Sequence, residues 1–99
     1  MREVAVIGIG QSTFGKFPDK TAAELGSEAV SAALKDCGIP PRDIRVAYAA
    51  RSYDANCTAQ GVLKEVGISA LEMINVENAC AGGATAFRGV WKEIADGRY

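Results

Sequence analysis

Ninety-nine residues, 48% apolar and 23% charged, have the balance of a folded globular chain, with room for one small domain and hardly for two. Eleven Lys and Arg against twelve Asp and Glu leave a formal net charge of −1, which removes the electrostatic reason to expect nucleic acid or an anionic membrane as partner. The chain has no His, so it cannot by itself assemble a Ser–His or Cys–His pair, a His metal site or an imidazole base.

The first apolar run, Val4-Ala5-Val6-Ile7-Gly8-Ile9, is rich in β-branched residues and nearly continuous in hydrophobicity. It reads as a strand buried on both faces. It is too short for a membrane span, and it follows Glu3 with no small-residue cleavage site beyond it, so it is not a signal peptide. A cytoplasmic protein is the expectation. An odd count of three Cys in such a chain argues against a disulfide framework. A loop punctuated by Gly and Pro follows, from Gly10 to Asp19.

Thr21 opens the first helix, with Glu24 at the capping-box spacing. Glu24, Glu28, Ser31 and Lys35 share one wet face, while Leu25, Ala29, Val30, Ala33, Leu34 and Cys37 occupy the rest. Gly38 supplies a left-handed stop and Pro40-Pro41 prevent resumption. Ile44, Val46 and Tyr48 alternate within a second strand from Asp43 to Ala50. Residues 51–56 read as a polar loop, with Asn56 capping a short helix that runs to about Val66 and ends at Gly67. Leu71 to Val76 is a third strand. A last helix from about Ala79 to Asp96 places Gly83, Phe87, Val90, Trp91 and Ile94 on one stripe, and Gly97 terminates it. Met73, Phe87 and Trp91 are most simply core.

The order βαβαβα implies parallel strands joined by right-handed crossovers. The expected fold class is α/β, a parallel three-stranded sheet with helices on both faces. Three strands are narrow for such a sheet, which normally has five or more. Residues 1–99 therefore read as one domain cut before its remaining strands.

Two turns are candidates for chemistry. Gly8-Ile9-Gly10 suggests a dinucleotide-binding turn, but Thr13 stands where the third Gly belongs and a Pro-containing loop separates the strand from the helix. The favoured reading is a strand ending in a flexible turn. The second candidate is the junction from Asn75 to Phe87, where a strand leads into a helix and Cys80 is expected at the first turn. Unpaired N–H groups and the positive end of the helix dipole favour a thiolate there. Such a thiolate can attack a thioester or carbonyl, with nearby N–H groups holding the oxyanion, and Gly82, Gly83, Ala84 and Ala86 leave room for a thin substrate. Alternatively, Cys80 is a small buried residue at a tight turn. Glu77 and Asn78 either orient this turn or cap the helix. Cys37 lies at the wrong end of its helix dipole and reads as core. Cys57 starts a helix without the Gly-rich approach.

The segment Val76-Glu77-Asn78-Ala79-Cys80-Ala81-Gly82-Gly83-Ala84-Thr85-Ala86-Phe87 resembles the nucleophile segment of the thiolase superfamily, in particular its sterol-carrier-protein-type and archaeal acetyl-CoA acetyltransferase-like branch. The opening from Val4 to Gly15 is similar to the start of those proteins. The resemblance covers the first quarter or so of a typical member, and Gly82 departs from it by replacing the usual Ser or Thr.

The resemblance implies an incomplete N-terminal βαβαβα half of a thiolase-like fold, with Cys80 as the acyl-accepting nucleophile and an acyl-CoA thioester as substrate rather than cofactor. It implies no metal. It also implies that the catalytic His residues and a second, proton-moving Cys come from the other half, so that these residues alone are inactive. Family members are dimers or tetramers with the second-strand region near the subunit contact, which implies a homo-oligomer. Two further readings keep the same segment. One is a lipid-transfer relative acting as a carbon–carbon lyase on CoA esters with a small OB-fold partner. The other is a non-catalytic binding or assembly module in which Cys80 is structural.

Overall fold

The computed structural model describes residues 1–53 and 56–99. Its elements are α1 (Ala22–Cys37), a 3₁₀ turn (Pro41–Asp43), β1 (Val46–Ala50), α2 (Thr58–Val66), β2 (Glu72–Val76) and α3 (Gly82–Ala95). Of the polar loop expected over 51–56, residues 54 and 55 lie outside the described residues.

Helix α1 begins and ends as its sequence dictates. The Thr21 hydroxyl accepts from the Glu24 N–H at 3.1 Å, and Gly38 takes the left-handed conformation at φ 74° while its N–H donates to Leu34 O. Glu24, Glu28, Ser31 and Lys35 are all exposed. Helix α2 starts at Thr58, one residue later than a cap at Asn56 would place it. Cys57, not Asn56, is the cap residue, and it sits at φ 59° with no side-chain capping bond. The capping acceptor comes from a distant residue instead. Asn75 on β2 accepts from the Ala59 N–H through Oδ1 at 2.7 Å and donates through Nδ2 to Gln60 Oε1 at 2.9 Å.

β1 and β2 pair in parallel, Val46 opposite Glu72 through Ala50 opposite Val76. Side chains alternate between the faces of a strand, and the contacts follow that rule. Tyr48 and Ala50 meet Gly89 and Gly82 of α3, whereas Asn75, on the opposite face, meets α2. Helices therefore cover both faces, as the βαβ order requires, and α1 packs on α2. At that contact a Cβ on Gly26 would stand 2.5 Å from Val62 Cγ2, so the glycine sets how closely the helices approach. The best-buried apolar residues are small or lie on α2 and just beyond it: Ala59, Val62, Leu63, Ile68, Ala86 and Ala95.

The expected three-stranded sheet is corrected to two strands, because Val4–Ile9 lies outside it. Strand propensity and hydrophobicity mark a segment for pairing but do not supply a partner. The segment is tied at Arg2, whose N–H donates to Ala95 O at 2.9 Å, and at Ile9, whose N–H donates to Asp36 Oδ2 at 3.0 Å. It makes no ladder with β1, and at its Gly8 end it meets α1. Gly8 and Gly10 press so closely on that helix that an added Cβ would lie 2.6 Å from Ala33 O and 2.1 Å from Ala29 O. The two glycines thus serve helix contact, where the sequence suggested a flexible turn. An apolar cavity of about 390 Å³ opens between this segment, α1, β1 and α3. Phe87 and Trp91 line it and remain 57% and 38% exposed, which corrects their assignment to the core. Met73 is half-buried.

Candidate nucleophile site

The site lies where both strands end. Ala50 pairs with Val76, and the Arg51 N–H extends the ladder by donating to Val76 O at 3.0 Å. In open α/β sheets the carboxyl ends of the strands are where ligands collect. From β2 the chain must reverse into α3 within five residues, and it does so through one tight turn. The Ala81 N–H donates to Asn78 O at 2.9 Å and the Gly82 N–H to Ala79 O at 3.2 Å. Ala79 adopts φ 44° to make this possible. A left-handed conformation costs an L-residue roughly 1–2 kcal/mol, so the surrounding bonds must hold it there.

Cys80 follows Ala79 at the apex and is exposed. α3 begins at Gly82, with Ala81 as its cap residue, so Cys80 precedes the helix instead of occupying its first turn. That shift changes which amides are free. Ala81 and Gly82 spend their N–H groups inside the turn, and the Thr85 N–H makes the first helical bond, to Ala81 O at 2.9 Å. Among the described residues, Gly83 and Ala84 are the first-turn residues whose N–H groups meet no backbone acceptor. Both are exposed, and no neighbouring atom lies within 4 Å of a Cβ built on Gly83. Gly82 has the opposite character. It is buried, and its added Cβ would lie 3.0 Å from Ala50 Cβ, so the missing side chain lets α3 start close against β1.

Two polar side chains brace the turn. Asn78 Nδ2 donates to Thr85 Oγ1 at 2.9 Å, and the Thr85 hydroxyl donates to Ala81 O at 2.9 Å. Asn78 therefore orients the turn and makes no cap bond to α3, which settles one of the two roles left open for it. Thr85 was not singled out from the sequence. Its only signal is a hydroxyl one helical turn beyond Ala81, where it can reach back to that carbonyl.

The other cysteines stand elsewhere. Cys37 is half-buried in the last turn of α1, where it lines the apolar cavity with its thiol directed at Leu34 O at 3.5 Å. Cys57 is exposed at the start of α2. Among the described residues no group of three or more Cys, Asp or Glu is placed to hold a metal ion. No helix there is long and apolar enough to cross a membrane.

Comparison with known proteins gives this geometry a context. Residues 4–99 match the family described as thiolase, N-terminal domain. Sterol carrier protein 2 of Gallus gallus is 34% identical over 88 residues, covering 86% of this chain and 16% of that protein. Acetyl-CoA acetyltransferase of Methanothermobacter thermautotrophicus is 29% identical over 104 residues, covering 100% of this chain and 27% of that protein. Among solved structures, OleA of Xanthomonas campestris superposes with a TM-score of 0.73 at 24% identity, over 82% of this chain and 26% of that one. The likeness to OleA is one of fold. The chain spans about a quarter or less of the length of these relatives.

Proposed function

The chain belongs to the thiolase family, and on that premise we propose that Cys80 is the acyl-accepting nucleophile of an acyl-CoA acyltransferase. The Cys80 thiolate attacks the carbonyl carbon of an acyl-CoA. The carbon–sulfur bond to CoA breaks, CoA leaves as a thiol once protonated, and the acyl group remains on Cys80 until a second acceptor takes it. In the reverse direction CoA cleaves a 3-ketoacyl-CoA. The observation that carries this reading is the exposed Cys80 on a strained turn between the end of β2 and the start of α3. The free N–H groups of Gly83 and Ala84 support it as donors toward the developing oxyanion.

With no His in the chain, the bases that move protons belong to the remainder of a longer parent protein. These residues alone are inactive in this reading. The CoA thioester is the substrate with no further cofactor, and the parent is a cytoplasmic homo-oligomer.

Trypsin separates the three cysteines onto different peptides, 36–42, 52–64 and 65–88, so each can be followed by mass spectrometry. Cys80 is expected to react with iodoacetamide faster than Cys37 and also faster than Cys57, which is equally an exposed thiol beside a helix start. Equal rates at Cys80 and Cys57 reject the nucleophile. Incubation with acetoacetyl-CoA and CoA should show no thiolysis by the chain alone. Turnover abolished by Cys80→Ala would instead show that these residues suffice.

A further inference from the structure

We propose that Asn78 and Thr85 are positioning residues for Cys80, an inference that rests on the nucleophile reading above. Ala79 holds φ 44°, a conformation that an L-residue leaves readily unless its neighbours confine it. The backbone bonds Ala81 N–H to Asn78 O and Gly82 N–H to Ala79 O close the turn on one side. The side chains close the other. Thr85 has a single hydroxyl proton, and it goes to Ala81 O. Only a lone pair is left for Asn78, which must therefore present its Nδ2 amide group. The direction of both bonds is thus determined, and one continuous chain of donors runs from Asn78 through Thr85 to Ala81.

That chain brackets Cys80. Asn78 lies two residues before it and Ala81 one residue after, while Thr85 sits on the rigid body of α3. Neither polar side chain is hydrogen-bonded to the Cys80 thiol among the described residues, so their effect is exerted through the backbone. Without the clamp, Ala79 relaxes toward negative φ, and the peptides on both sides of Cys80 rotate with it.

The test follows the alkylation of Cys80 by iodoacetamide in the whole 99-residue chain, with Cys57 as internal reference. Thr85→Val keeps the shape of the side chain but removes both hydroxyl bonds, and it should slow Cys80 relative to Cys57 by about fivefold, the worth of an ordinary hydrogen bond. Asn78→Ala removes only the bond the two side chains share and should slow Cys80 by no more than Thr85→Val does, and the double variant should be no slower than Thr85→Val alone. Thr85→Ser restores the hydroxyl and should restore the rate, which a merely packed methyl would not.

If either single variant leaves the rate within about twofold of the unaltered chain, the clamp is rejected. Additive losses in the double variant, or a Thr85→Ser variant as slow as Thr85→Val, reject it as well. Should Thr85→Val unfold, seen as a rise in the Cys37 rate, the exposed Asn78→Ala decides between the same two outcomes on its own. An unaltered Cys80 no faster than Cys57 overturns the nucleophile reading and this proposal with it. A fast Cys80 that ignores both substitutions overturns only the clamp.

Discussion

Gly89 stands on α3 opposite the ring of Tyr48, and replacing it with Ala sets two effects of known size against each other. In an exposed helix interior Gly→Ala gains about 1 kcal/mol from backbone entropy. At Gly89 the added Cβ would lie 2.4 Å from Tyr48 Cε2, 2.8 Å from Cδ2 and 3.2 Å from Cζ. The ring cannot swing away freely, because its hydroxyl donates to Glu93 Oε1 at 3.0 Å and Glu93 pairs with Arg98 Nε at 2.9 Å. Overpacking costs roughly 1–3 kcal/mol, and loss of the Tyr48 hydrogen bond about 1 kcal/mol more. The clash wins, and the net destabilisation should be about 1–3 kcal/mol.

Urea unfolding followed by the fluorescence of Trp91, the single Trp, reads this directly. Gly61→Ala on α2 is the internal standard. Its added Cβ meets Ala23 Cβ at 3.5 Å, an ordinary contact, so the helix gain of roughly 0.5–1 kcal/mol should survive there. In a Tyr48→Ala background Gly89→Ala should become stabilising as well. If Gly89→Ala raises the midpoint in the unaltered background as Gly61→Ala does, Tyr48 does not pack against α3 in this way and the reasoning fails.

Three further outcomes follow from the same contacts. Thr21→Ala removes the acceptor of the Glu24 N–H and should cost about 1 kcal/mol, visible as a lower urea midpoint; an unchanged midpoint rejects the cap. Asn75→Val favours the strand locally but leaves the Ala59 N–H, on a residue only 2% exposed, without its acceptor. It should destabilise by roughly 1–3 kcal/mol, and Asn75→Asp, which keeps the acceptor, by less. Tyr48 ionises above the usual phenol value of 10.0, first because it is partly buried and then because its hydroxyl donates a hydrogen bond to Glu93, which carries negative charge. A raised folded-state value means that stability is fully present below pH 10.0 and is lost as pH rises through the higher value. Tyr48→Phe removes that component, so the decline in stability above pH 10.0 should be shallower than in the unaltered chain. An identical decline contradicts the assignment.

Much of the local structure was written in neighbouring residues. Thr21, Glu24 and Gly38 announce both ends of α1, and the αL conformations of Gly38, Gly67 and Gly97 stand where the sequence ends each helix. β2 and the alternating part of β1 lie within the expected strands. The departures arise where the partner is remote. Asn56 looks like a cap for α2, yet the acceptor for that helix is Asn75, which only strand pairing brings alongside. Phe87 and Trp91 have the spacing of a core stripe, but they face a cavity bordered by Val4–Gly8.

The sequence by itself determined the helices, the parallel α/β order and the segment around Cys80 that carries the family likeness, because caps, periodicity and short motifs act over a few residues. Tertiary structure alone decided three things. Val4–Ile9 does not join the sheet, and Gly8 and Gly10 bring its end into backbone contact with α1. Cys80 stands ahead of α3 because Ala79 turns left-handed and consumes the amides of Ala81 and Gly82. Thr85 reaches Asn78 only after the chain has reversed between them. Each depends on groups brought together by folding, and no local pattern of side chains encodes where a distant backbone will arrive.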